Sequence, residues 1–209
     1  MSVDIQRVPV GVFGANAFVV KAPSGRWLAI DAAPPEEMRR AAGGGNPDYL
    51  ILTHEHFDHI AGFRELGAFE GIPLVAAAPC AKLLPDPALN MSKYDPEGRI
   101  LSVRAPDILV PAAGRTLDWQ GSLVEMIPAP GHSPGGLFIH IDSNLFTGDT
   151  LLREHRTVTK LPGADRIGLK KTLQELFAHF PGDTLVWPGH GESFRLSETS
   201  VQSALGGGS

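Results

Sequence analysis

The chain has 209 residues and a formal net charge of −5, which leaves no basic stripe of the kind that general nucleic-acid binding requires. Cys80 is the only cysteine, so an intramolecular disulfide is impossible and a reducing compartment is compatible. No apolar run reaches the ~18 residues of a membrane span, and Met1-Ser2-Val3-Asp4 has no positive region ahead of an apolar stretch. The expectation is a soluble, cytoplasmic protein without nucleic-acid or membrane partners.

Apolar and β-branched runs predict strands at residues 17–20, 27–30, 49–52, 74–77, 115–117, 123–127, 137–141 and 184–187. Gly and Pro are spread along the chain, which suits short strands joined by tight turns. Cys80 reads as a small buried residue beside Pro79. The segment 80–111 is rich in helix and strand breakers and weakly periodic, so it is expected to form a lid or pocket wall. Leu89, Met91 and Tyr94 would then face substrate, or else simply pack the loop down. The clearest helix is 168–180, where Leu169, Leu173, Leu176, Phe177 and Phe180 recur at helical spacing and Pro181-Gly182 stops it. Residues 1–204 are expected to form one domain, and 205–209, Leu-Gly-Gly-Gly-Ser, a flexible tail or an expression scar.

Chemistry is concentrated in Thr53-His54-Glu55-His56-Phe57-Asp58-His59, directly after the predicted strand 49–52. Three imidazoles and a carboxylate within six positions are metal ligands by type and by spacing. Three further turns each carry one His or Asp beside glycine: Pro130-Gly131-His132, Thr147-Gly148-Asp149 and Pro188-Gly189-His190. Each follows or ends an apolar run, and side chains on such turns can converge from distant parts of a chain.

In order and spacing, these motifs resemble the metallo-β-lactamase superfamily and, within it, the glyoxalase II-like hydrolases, over residues 16–191. The resemblance implies an α/β fold, the four-layer αββα sandwich. It also implies one metal ion on His54, His56 and His132, a second on Asp58, His59 and His190, and Asp149 shared by both. Zn is the first expectation for the two divalent ions, and an all-N/O donor set also admits Fe or Mn. The implied reaction is attack of a metal-bridging hydroxide on a thioester, lactone or related ester, with Asp58 as the catalytic residue that orients the nucleophile or takes its proton. The partner would be a small-molecule substrate; oligomeric state does not follow. In similar proteins an Asp at the position of Asp31 orients a ligand His, and a turn-capping role is its other reading.

His140, His155 and His179 read as structural or solvated, while Arg153, Arg156 and Lys160 either meet an anionic substrate or form a solvated loop. Glutathione-thioester hydrolases carry a helical extension after the last His motif, for which this chain has no room, and His155-Arg156-Thr157-Val158 stands where many relatives have Gly-Arg-Thr-Asp. Asp149 in place of a Cys argues against an antibiotic-hydrolysing enzyme, and no Tyr follows the Gly148-Asp149 turn as in lactone-quenching enzymes. The other reading is a mononuclear iron persulfide dioxygenase using His54, His132 and Asp149, against which the hydrolase-like Trp187-Pro188-Gly189-His190-Gly191 stands.

Overall fold

A computed structural model describes residues 2–206. Twelve strands form two six-stranded sheets among the described residues. The first contains β1 (Asp4–Pro9), β2 (Asn16–Lys21), β3 (Trp27–Ile30), β4 (Leu50–Ile51), β5 (Leu74–Ala77) and β6 (Ile108–Val110), in sequence order. β1 to β3 are antiparallel, and β3 to β6 are parallel. The second runs β12-β11-β10-β9-β8-β7, from β7 (Arg115–Trp119), β8 (Ser122–Pro128), β9 (Leu137–Ile141), β10 (Asn144–Gly148), β11 (Leu185–Pro188) and β12 (Phe194–Arg195). Only β10 and β11 pair parallel in it.

Alternation along β9 shows why the layers stack. Leu137, Ile139 and Ile141 face the other sheet, where Phe146 of β10 meets Phe18 of β2 at 5.1 Å and Phe18 meets Trp187 at 5.7 Å. Phe138 faces outward with Leu145 and Val186 to meet a second cluster under α3 (Arg166–His179) and α4 (Val201–Leu205). A strand buried on both faces reads as an unbroken apolar run rather than an alternating one. Helix α1 (Pro35–Ala42) lays Met38 and Ala42 on the first sheet, and α2 (Cys80–Leu83) caps the end of β5. The layers are therefore helix, sheet, sheet, helix.

Strands 27–30, 74–77 and 137–141 emerge as expected, with shifts of a residue or two at 17–20, 49–52, 115–117, 123–127 and 184–187. Helix 168–180 begins earlier, at Arg166, because the Asp165 side chain accepts from Ile167 N–H and caps it. β1 and β12 carry few apolar residues, β6 is a three-residue apolar run inside the breaker-rich segment 80–111, and α1 lies in a proline-led stretch that reads as a turn. Leu205 belongs to α4, with Gly206 in a left-handed cap, so the expected tail does not begin at 205; residues 207–209 lie outside the described residues.

The segment 80–111 is less of a lid than expected. Asn90 is buried and donates to the carbonyls of Leu84 and Leu101, and the buried Asp95 carboxylate accepts from Arg64 and Arg99. Met91 packs against the core, while Leu89 and Tyr94 are exposed. The packing reading holds for most of this loop.

Candidate metal centre

Seven side chains converge where β4, β8, β10 and β11 end. His54, His56, Asp58 and His59 come from the loop after β4, His132 from the β8–β9 turn, Asp149 from the end of β10 and His190 from the turn after β11. One ligand atom from each of His54, His56 and His132 lies within 4.8 Å of the others, and the same holds for Asp58, His59 and His190. Asp149 touches both groups: its Oδ2 lies 3.8 Å from His132 Nε2 and 3.4 Å from His190 Nε2.

The donor spacing suits metal ions. Two ligands on one tetrahedral ion at ~2.0–2.1 Å stand about 3.4 Å apart. Observed separations lie at or just below that value: His56 Nδ1 to His132 Nε2 is 3.0 Å, His190 Nε2 to Asp58 Oδ2 is 3.3 Å, and His59 Nε2 to Asp149 Oδ1 is 3.4 Å. His54 Nε2, His59 Nε2 and Asp149 Oδ1 are buried with no hydrogen-bond partner. Such atoms cost free energy unless something polar or charged meets them.

Partners behind the rings set which nitrogen faces inward. His59 Nδ1–H donates to Asp31 Oδ2 at 2.8 Å, which turns Nε2 toward the cluster. Thr53 donates its hydroxyl to the same Asp31 oxygen at 2.7 Å and accepts from His54 Nδ1–H at 3.1 Å, which bares Nε2 of that ring. Asp31 Oδ1 also accepts from Thr53 N–H at 2.7 Å. Asp31 is fully buried in the left-handed region, at φ 57, a conformation that Asp tolerates better than most residues. It orients two rings at once, which is the role the resemblance implied for it.

Two glycines let the turns close. A Cβ on Gly148 would stand 2.7 Å from Thr53 Oγ1, and one on Gly189 would stand 2.2 Å from Asp149 Oδ1. Asn16 fixes the last turn by donating its side-chain amide to the carbonyls of Pro188 and Gly191.

Electrostatically the two groups differ. Burial, reinforced by the neighbouring imidazoles, holds His54 well below the ordinary histidine range and takes His56 down to about 3. Burial opposes charge on His59 as well, but Asp58, Asp149 and Asp31 override it and hold its pKa well above the ordinary value. His190 is pushed up to about 9 against its burial, by hydrogen bonds to Asp149 and Asp58. Both carboxylates are driven down in spite of burial, first by His59.

The sequence profile described as the metallo-beta-lactamase superfamily matches residues 10–190, and that span contains every one of these side chains. The chain belongs to the metallo-β-lactamase superfamily. With the family goes its coarse activity class, metal-dependent hydrolysis. It is 28% identical over 219 aligned positions to a probable metallo-hydrolase, YqgX, of Bacillus subtilis, covering 97% of each chain. It is 36% identical to a hydroxyacylglutathione hydrolase of Acidiphilium cryptum over 66% of this chain, but spans only 45% of that enzyme. The crystal structure of BLEG-1, a B3 metallo-β-lactamase, superposes with a TM-score of 0.84 at 26% identity, covering 93% of this chain and 95% of that one.

Within this superfamily fold, Arg153 and Arg156 do not serve as a free cationic wall. Arg153 pairs with Glu198 at 3.0 Å and Arg156 lies against Gly206, so both turn toward the C-terminal helix. His140 pairs with Glu125 at 2.7 Å and meets Phe180 edge-on, and His155 and His179 are exposed on the surface. Sequence reasoning missed Thr53, which relays Asp31 to His54, and Glu55, whose buried carboxylate accepts from Ser133 Oγ at 3.0 Å. It also missed Phe13, which is 63% exposed at a left-handed φ of 47 and stands edge-on to Phe57 at 5.6 Å. Two flanking glycines and an aromatic between them were the available signal.

Among the described residues, no helix is long and apolar enough to cross a membrane.

Proposed function

We propose that this chain is a binuclear-metal hydrolase that cleaves a thioester, lactone or related ester. The observation that carries the reading is the Asp149 carboxylate, shared between two three-residue groups whose donor atoms have metal-ligand spacing. Two divalent ions there, Zn before Fe or Mn, would supply a Lewis acid for the carbonyl and lower the pKa of a shared water toward neutrality. His54, His56 and His132 would hold one ion, Asp58, His59 and His190 the other, and Asp149 both.

The chain's own groups supply the rest. The side chains of His190, Asp149 and Asp58 are 19%, 14% and 12% exposed, whereas that of His59 is sealed, so substrate reaches the centre from the side of the first three. Asp58, on that open side, is the carboxylate able to orient the attacking water and take its proton. The exposed Phe13, edge-on to Phe57, the residue before Asp58, offers an apolar surface that suits the acyl group of a small-molecule ester. Engagement of Arg153 and Arg156 by the C-terminal region argues for thioesters other than glutathione conjugates. The mononuclear dioxygenase reading would leave Asp58, His59 and His190 without a task, so the two-ion reading is preferred.

Elemental mass spectrometry on protein purified without chelator or affinity nickel tests this reading. About two equivalents of Zn, Mn or Fe per chain, followed by turnover of members of a thioester and lactone panel, is the expected result. A single iron, with no second ion taken up on supplementation, would overturn it.

A further inference from the structure

Side chains stand behind His54 and His59, but His132 is oriented by backbone alone. Its Nδ1–H donates to the Val158 carbonyl at 2.9 Å. A carbonyl only accepts, so the proton belongs on Nδ1 and Nε2 is left bare toward His56 and Asp149. Val158 lies in a stretch, 150–160, with neither helix nor strand, so the place of its carbonyl depends on whatever ties that stretch down.

Thr157 provides the tie at two points. Its N–H donates to the carbonyl of Ala204 at 3.0 Å, and its hydroxyl donates to the carbonyl of Thr150, one residue beyond Asp149, also at 3.0 Å. Thr157 is buried between two exposed neighbours, Arg156 and Val158. The last carbonyls of a helix have no partner within it. Those of α4 are used here to fasten other segments, Ala204 holding Thr157 and Leu205 accepting from Arg166 of α3 at 3.1 Å.

We propose that Thr157 is a positioning residue for the ion held by His54, His56 and His132, acting through the Val158 carbonyl, with the C-terminal helix as its anchor. The proposal rests on reading His132 as a metal ligand. Thr157 touches no donor atom itself; it fixes the carbonyl that fixes the ring. The ion on Asp58, His59 and His190 takes no ligand oriented by Val158 and meets Thr157 only through the shared Asp149, whose neighbour Thr150 it holds, so its binding should change less.

Stepwise cobalt titration of metal-free protein against a competing chelator, followed by visible absorption, tests this. In Thr157→Val, which keeps the shape and removes the hydroxyl donor, one of the two binding steps should weaken ~10–100-fold, the usual cost of losing an outer partner of a ligand. The other step should change less, and Thr157→Ser should restore the first. The melting temperature of the metal-free variant reports folding, and Thr157→Ala is read in the same way if valine is not accommodated. Two unchanged steps overturn the proposal and leave the metal centre standing, whereas equal weakening of both marks a general loss of structure and also overturns it. Failure of the unsubstituted protein to take up cobalt overturns the metal centre and the proposal together.

Discussion

His54 and His56 lie in the same loop as Asp58 and His59, yet the two pairs are prepared in opposite ways. The first pair joins His132 in a group made only of imidazoles, where burial strips His54 and His56 of their protons. The second pair joins His190 in a group with a carboxylate of its own, and Asp31 and Asp149 add two more charges around it. There the imidazoles keep protons that an ion must displace. Burial is common to both groups; the number of carboxylates within reach decides the protonation state.

The severest break of this comparison is loss of the residue both groups share. Asp149→Ala should weaken both ions by more than the ~100-fold that loss of an outer partner can cost. Metal content would fall from about two equivalents toward none, as read by elemental mass spectrometry. His56→Ala, by contrast, should remove one equivalent and leave the carboxylate-bearing group filled. If the two substitutions gave the same residual content, Asp149 would not be shared.

Titration at several pH values separates the groups without mutation. Between pH 6 and 8, His54 and His56 are already neutral, so neither should add to the pH dependence of affinity for their ion. His190, with a pKa of about 9, and His59, held above the ordinary value, must each lose a proton when the other ion binds. Each displaced proton makes affinity climb about tenfold per pH unit below the pKa. Competition titrations at pH 6, 7 and 8 should give one steep step and one shallow one. Parallel slopes would mean that the carboxylates do not hold protons on the second group.

Asp31→Asn sharpens the contrast further. Asn tolerates the left-handed backbone, so the turn at φ 57 should survive. The substitution removes a charge that raises His59 and one acceptor among the bonds to His59 and Thr53. The expected loss is ~10–100-fold, greater for the ion on His59 than for the ion on His54, together with a shallower pH slope in the steep step. Isothermal titration resolves the two; an equal loss would place Asp31 behind both rings alike.

All seven candidate ligands were legible in the sequence because metal chemistry restricts residue type and because glycine marks the turns that deliver them. The role of Asp31 came from the resemblance, which implies an Asp at that strand end behind a ligand His. The ties among them were not legible. Thr157 acts through a backbone carbonyl, which has no residue-type signature, and the cations around it drew the reading instead. The edge strands β1 and β12 were hidden for a related reason: an edge is held by backbone bonds and buries few side chains. The loop 80–111 looked irregular because its order comes from three buried polar side chains, Asn90, Ser92 and Asp95, which composition alone assigns to solvent.

Glu55 gives the smallest expected effect and the finest test of how burial acts beneath the imidazole group. Its side chain turns away from the ligands toward Ser133 and the Cys80 thiol, and burial raises its pKa from 4.5 to about 7. Between those two values the folded chain binds more protons than the unfolded one, so stability falls as pH rises through this window and levels off above it. Glu55→Gln carries no charge at any pH and should escape that fall. In chelator-treated protein the variant and the parent should melt together near pH 4, below the window. At pH 8 the variant should be the more stable, by about 3 kcal/mol at most if the whole shift is expressed. A variant less stable than the parent at pH 8 would mean that the hydrogen bonds from Ser133 and the Gly135 backbone, which favour the ionised form, outweigh the burial of the charge. The loop carrying His54 and His56 would then be clamped to the His132 turn by a carboxylate, and the imidazole group would owe its geometry to a charge after all.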